Sequence, residues 1–140
     1  MTKSILSLAV LLTFALNAFA QSNEKTFTKA FNTEGLERIK LDLPGKVDLK
    51  IWNKPTIRME ITVSLANGNM SMLDQLATVG RYNLKSETVD DLLLITSPNM
   101  YREVRVKGVE LRENISYVVF VPKDMEVIMR TVPAVATVQK

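Results

Sequence analysis

From residue 38 onward the chain alternates. Ile39, Leu41 and Leu43 are separated by Lys40 and Asp42, and Val47, Leu49 and Ile51 by Asp48 and Lys50. Ile57, Met59, Ile61 and Val63 are separated by Arg58, Glu60 and Thr62. Period-two alternation of this kind predicts strands with one buried and one wet face. Pro44-Gly45, Asn53-Lys54-Pro55, Asn67-Gly68-Asn69 and Ser97-Pro98-Asn99 fall between the runs, where turns belong. The pattern predicts a mainly β fold of antiparallel sheets in a sandwich-like arrangement.

One stretch has a different period. Ser71 is followed by Asp74 in the capping-box position. Leu73, Leu76 and Ala77 then follow at helical spacing, and Gly80 stands where a helix would close. This predicts one short helix over 71–79. Beyond it, 82–87 and 92–97 form a predicted strand pair joined around residues 88–91. Val104 and Val106 are out of phase with Val109 and Leu111, so Gly108 marks a bulge or a turn. Residues 117–121 are apolar on both faces, as in a central strand covered on both sides. Another strand is predicted over 126–131, and residues 134–138 are small and apolar.

Pro44-Gly45 leaves two readings open. A hairpin that matched the apolar faces would set Asp42 opposite Asp48 and Lys40 opposite Lys50, and like charges directly opposite are destabilising. Pro-Gly is also a type II signal, poorly suited to a tight two-residue hairpin. The second reading is a corner between layers, with the two strands unpaired.

The amino terminus has no such alternation. Lys3 precedes an uncharged stretch from Ile5 to Ala20 that ends in Ala18-Phe19-Ala20. This is the pattern of a secretory signal peptide cleaved before Gln21. It is shorter than the roughly 20 apolar residues of a membrane span. The expected organisation is therefore a signal peptide, 1–20, and a single β-rich domain, 21–140, with no transmembrane segment after cleavage.

Composition narrows the chemistry. The 140 residues include no Cys and no His. That removes thiolate and imidazole nucleophiles and bases, disulfides, the Ser-His-Asp triad and thiolate or HExxH zinc sites. It also removes the lipidated cysteine of a lipoprotein, so the expected location is exported but not lipid-anchored: periplasmic, cell-surface or secreted. A formal charge of +3, from 18 Lys+Arg against 15 Asp+Glu, is too small to imply nucleic acid. Neither a cofactor nor a metal site is expected.

Paired carboxylates remain. Asp90-Asp91, with Glu87 before them, is the densest acidic point, but neighbouring acids in a hairpin turn read as a solvated turn. A carboxylate-dependent hydrolase of an envelope polysaccharide is thus an alternative function, as is a carrier of an apolar ligand beneath residues 117–121. The weak candidates for partner binding are Trp52, Tyr101, Arg102, Arg105 and Lys107. Tyr101 to Lys107 is basic on one strand face, although Glu103, Glu110 and Glu113 interleave with it. Trp52 is either a stacking platform or, as the reading we favour, a cap on one end of the core with its N–H turned to water.

Some of these residues carry a resemblance. Residues 36–51, Leu-Glu-Arg-Ile-Lys-Leu-Asp-Leu-Pro-Gly-Lys-Val-Asp-Leu-Lys-Ile, resemble the strand–turn–strand opening of the "putative adhesin", or head GIN domain, families of exported bacterial β proteins. Residues 117–124, Tyr-Val-Val-Phe-Val-Pro-Lys-Asp, look like their later strand-Val-Pro-Lys-Asp element, and the export signal is similar to those of Bacteroidetes proteins. The resemblance implies a non-catalytic, adhesin-like or structural module of the cell envelope, and it carries over no functional residue. Its partners would be an envelope protein or glycan, or a second copy met through an exposed β edge. Family members continue into Gly-spaced solenoid coils, whereas here no Gly follows Gly108. The resemblance therefore implies the start of a β-solenoid, in a truncated relative, with a tail that covers the stacking edge, or with another chain that does.

Overall fold

The structure, a computed structural model, describes residues 23–129. The predicted leader, 1–20, and the apolar stretch 134–138 lie outside them. Two four-stranded sheets pack face to face. The first runs β1 (Glu24–Asn32), β4 (Thr56–Leu65), β9 (Glu113–Pro122), β3 (Lys46–Trp52). The second runs β10 (Glu126–Met129), β2 (Arg38–Asp42), β6 (Leu92–Thr96), β5 (Lys85–Val89). The alternation read from the sequence points inward as expected. Ile39, Leu41, Leu93 and Ile95 of the second sheet meet Ile57, Met59, Ile61, Val63, Tyr117, Val119 and Val121 of the first in one buried core. The mainly β, sandwich-like expectation holds, with parallel pairs added to the antiparallel ones: β3 with β9, β2 with β6 and β10 with β2.

The parallel pairs follow from how the chain changes layers. Pro44-Gly45 is a corner, not a hairpin: β2 pairs with β6 and β10, β3 with β9, and the two never meet. Asp42 and Asp48 are thereby kept apart. Glycine is required here by space, since a Cβ at Gly45 would lie 2.5 Å from the Ile115 carbonyl oxygen. Leu43 is buried at the corner. A second corner at residues 123–125 takes the chain from β9 to β10, so that β9–β10 lies against β3 and β2.

The local readings hold with small shifts. Helix α1 spans Met70–Thr78 and buries Leu73. Its N-cap is Asn69, whose side chain accepts from the Met72 N–H, rather than Ser71. Its C-terminus closes as a Schellman motif: Arg81 N–H donates to Leu76 and Gly80 N–H to Ala77, with Gly80 at φ +83°. β5 begins at Lys85, not Tyr82, because Arg81 and Tyr82 turn inward. Asp90 and Asp91, both at positive φ, form the tight turn to β6, and Lys107-Gly108 do the same between β7 (Arg105–Val106) and β8 (Val109–Glu110).

Two differences matter for function. β9 is central, but only its inner face is sealed. Val118 and Phe120 on the outer face are half-buried, and no described layer lies over them. The expected two-sided cover is replaced by neighbouring side chains. β1, which the alternation does not reveal, pairs with β4 over nine residues. Its inward positions include Lys25 and Lys29, so the apolar signal reduces to Phe27 and Phe31, four apart.

Candidate binding surface

The five residues predicted for contact do not form one site. Tyr101 ends a short 3-10 turn (Pro98–Tyr101), and its hydroxyl donates to Asp42 Oδ1 at 2.9 Å. Arg102 offers its carbonyl to Arg81 Nη1 at 2.8 Å. Arg105, on β7, is tied to Glu103 at 2.8 Å, and Lys107 occupies a left-handed turn position, φ +53°. An open depression of about 650 Å³ lies beside this segment, but Arg81, Arg102, Glu103, Glu110 and Glu113 line it with mixed charge. Trp52 sits at the end of β3 remote from the Pro44-Gly45 corner, about 20 Å along the strand at 3.3 Å per residue, and on the outer face.

The floor of that depression holds a polar knot which the sequence analysis missed. Arg81 is 8% exposed and grips Glu113 through Nε and Nη2, at 3.0 and 2.5 Å. Its Nη1 donates to the carbonyls of Asn99 and Arg102. The Tyr82 hydroxyl donates to Glu113 Oε2 at 2.8 Å, while its ring stacks on Phe27, centroids 5.6 Å apart. The hydrogen bonds to Glu113 raise the Arg81 pKa against the opposing effect of burial. Burial first, then the bond to Glu113, raises that of Tyr82. Every strong donor here is spent on the protein itself, binding the end of α1, the 3-10 turn and the start of β9 together. Deeper in the core, burial pushes the Tyr117 phenol up to about 12, an effect opposed by the neighbouring Ser97 hydroxyl.

The outer face of the first sheet is built the other way. Phe120 on β9 has Lys50 of β3 directly opposite on one side and Arg58 of β4 on the other. Lys50 Nζ and the Arg58 guanidinium each lie 5.9 Å from its ring centre. Trp52, one step along β3, tilts against Phe120 with centroids 5.4 Å apart, and Lys54 Nζ stands 5.1 Å over the indole. The indole N–H donates to the Thr56 carbonyl at 2.8 Å, which fixes the ring across the β3–β4 connection. Trp52 therefore does not cap the core, and its N–H does not face water. The face is two fixed, half-buried rings under three cations, with Glu60, paired to Arg58 at 3.0 Å, and Asp48 as the nearby acids, one on each side of Val118. Of the sequence candidates only Trp52 belongs to it. Lys50, Arg58 and Phe120 escaped because the β3–β9 and β4–β9 pairings that join them link residues 70 and 62 apart, and Lys54 joins them only through Trp52.

Neither a carboxylate hydrolase nor an apolar carrier gains comparable geometry. Asp90 and Asp91 are exposed in their turn. A partly enclosed space of about 280 Å³ lies among Phe27, Lys29, Ile61, Ala77 and Tyr82, not beneath residues 117–121. Among the described residues no helix is long and apolar enough to cross a membrane.

No family model matches the chain, and no curated protein matches it. Solved structures are similar to it, two of them as follows. One is a "putative cell adhesion protein" from Clostridium sporogenes, 16% identical with a TM-score of 0.42, the match covering 76% of this chain and 45% of that one. The other is a "putative adhesin" from Bacteroides fragilis, 11% identical with a TM-score of 0.34, covering 75% and 41% respectively. The chain spans less than half the length of each of these two structures.

Proposed function

We propose that this protein is a non-catalytic, exported contact module of a bacterial cell envelope, and that the outer face around Phe120 holds an anionic glycan. The observation that carries this reading is the placement of Lys50, Lys54 and Arg58 around the fixed rings of Phe120 and Trp52. Half-buried aromatic rings on a sheet face offer a sugar ring an apolar surface. The cations that stand over them pair with carboxylate, sulfate or phosphate substituents. The absence of Cys and His throughout the sequence favours contact over catalysis.

The test is retention of the purified protein on immobilised acidic polysaccharide, such as polygalacturonate or a sulfated glycan, beside a neutral glucan. Binding to the acidic polymers is expected to weaken as salt rises, and to fall at least about tenfold in a Lys54→Ala/Arg58→Ala variant that melts normally. Equal retention on the neutral polymer, or unchanged binding by that variant, would overturn the proposal.

A further inference from the structure

Among the described residues no strand pairs with the outer edge of β3, and the inward side of this strand is poorly covered: Leu49 is 36% exposed and Ile51 71%. An uncovered edge of seven residues offers free backbone donors and acceptors to another strand, which proteins usually prevent with lysines along the edge. β3 carries Lys46 and Lys50, but Asp48 stands between them. That alternation decides which partner strand fits.

We infer that β3 is a homotypic docking edge, which pairs antiparallel with β3 of a second copy about a twofold axis through Leu49. Registers that keep both apolar sides together are centred on Asp48, Leu49 or Lys50, because a slip of one residue turns one strand's apolar side to water. Centred on Asp48, the pairing sets Asp48 against its own copy and Lys46 against Lys50. Centred on Lys50, it sets Lys50 against its own copy. Centred on Leu49, it sets Asp48 against Lys50 twice, Val47 against Ile51 twice and Lys46 against Trp52 twice, with the two Leu49 side chains meeting on the axis. Opposite charges, apolar pairs and a cation beside an indole are all favourable cross-strand neighbours. Only the Leu49-centred register gives them together, and the contact is isologous and closed, so it stops at two copies. The axis runs perpendicular to the sheet. Both Phe120–Trp52 faces then lie on the same side of one continuous eight-stranded surface, which adds avidity for a repeating polymer. The dimer does not depend on the glycan reading, because it rests on the edge and not on the rings.

The chain contains no cysteine, so single-cysteine variants report the register cleanly. Directly opposite residues in an antiparallel pair have Cα atoms about 4.5–5.5 Å apart, within disulfide range. Leu49→Cys is expected to give a disulfide-linked dimer on mild oxidation, whereas Ile51→Cys, whose copies lie about 13 Å apart in this register, is not. In sedimentation, Asp48→Lys alone and Lys50→Asp alone should each abolish the concentration-dependent dimer, and the Asp48→Lys/Lys50→Asp double variant should restore it. A protein that stays monomeric at all concentrations, Ile51→Cys linking as readily as Leu49→Cys, or a double variant that fails to recover would each overturn the inference. Circular dichroism and melting separate these results from misfolding.

Discussion

The molecule uses arginine beside aromatic rings twice, to opposite ends. In the Arg81–Glu113–Tyr82 knot the guanidinium is walled in and each strong donor has a protein acceptor. On the outer sheet face Arg58 is 44% exposed, shares one carboxylate, and leans over a ring with its remaining surface in water. Residue type does not separate the two clusters. What separates them is whether the donors are already satisfied, which makes the knot scaffold and leaves the face with donors open to the proposed ligand.

The sharpest way to break that contrast is to halve the knot. Glu113→Ala leaves a buried guanidinium and the Tyr82 hydroxyl without their partner, and losing one member of such a pair costs about 3–5 kcal/mol. The expected fall in Tm is on the order of 15 °C by thermal melting. The Arg81→Met/Glu113→Leu double variant should recover part of it, because no unpaired charge then remains. Recovery would confirm that the pair serves structure. A Glu113→Ala protein that melted normally yet lost binding would reverse the assignment of scaffold and face.

The next effect comes from pH and leaves the surface aside. The Tyr117 phenol is raised to about 12 from an ordinary value near 10, because burial penalises its charged form. The unfolded chain therefore loses its proton first. Stability from this group is complete below pH 10, falls as pH rises, and is gone above 12, a loss of about 2–3 kcal/mol at 1.36 kcal/mol per pKa unit. Chemical denaturation between about pH 8 and 11.5 should show the decline, and Tyr117→Phe should flatten it, leaving the part due to Tyr82, also raised by burial and Glu113. An identical decline in the variant would remove Tyr117 as its source.

The same contrast explains what was legible in the sequence. Period-two runs revealed β2, β3 and β4, helical spacing revealed the helix, and Pro, Gly and Asn marked the turns, because those signals are local. The like charges at 42/48 and 40/50 argued against a hairpin at Pro44-Gly45, and the corner is what the chain adopts. β1 went unread because two lysines occupy its inward positions, where long stems let the charge escape; Lys25 reaches Asp74 at 2.6 Å. The face around Phe120 was hidden for another reason. Phe120 lies in a run apolar on both sides, and nothing near it in sequence says that Lys50 and Arg58 arrive from two other strands. Glu113 read as one more interleaved acid, since only the fold brings Arg81 to it.

The smallest stability effect belongs to the outer face, and its smallness is informative. Arg58→Gln removes an ion pair whose members are 44% and 30% exposed. Such pairs contribute about 0–1 kcal/mol, so Tm should move by no more than a few degrees. Arg58→Lys keeps the charge but loses the flat guanidinium that rests over Phe120 and can grip an anionic group with two donors. Glycan binding should therefore rank Arg above Lys above Gln, while stability stays nearly level across the three. A ranking of stability that followed the ranking of binding would mean that Arg58 only braces Phe120. Level stability with graded binding would mean that its exposed donors are held for a ligand, as those of Arg81 are held for Glu113.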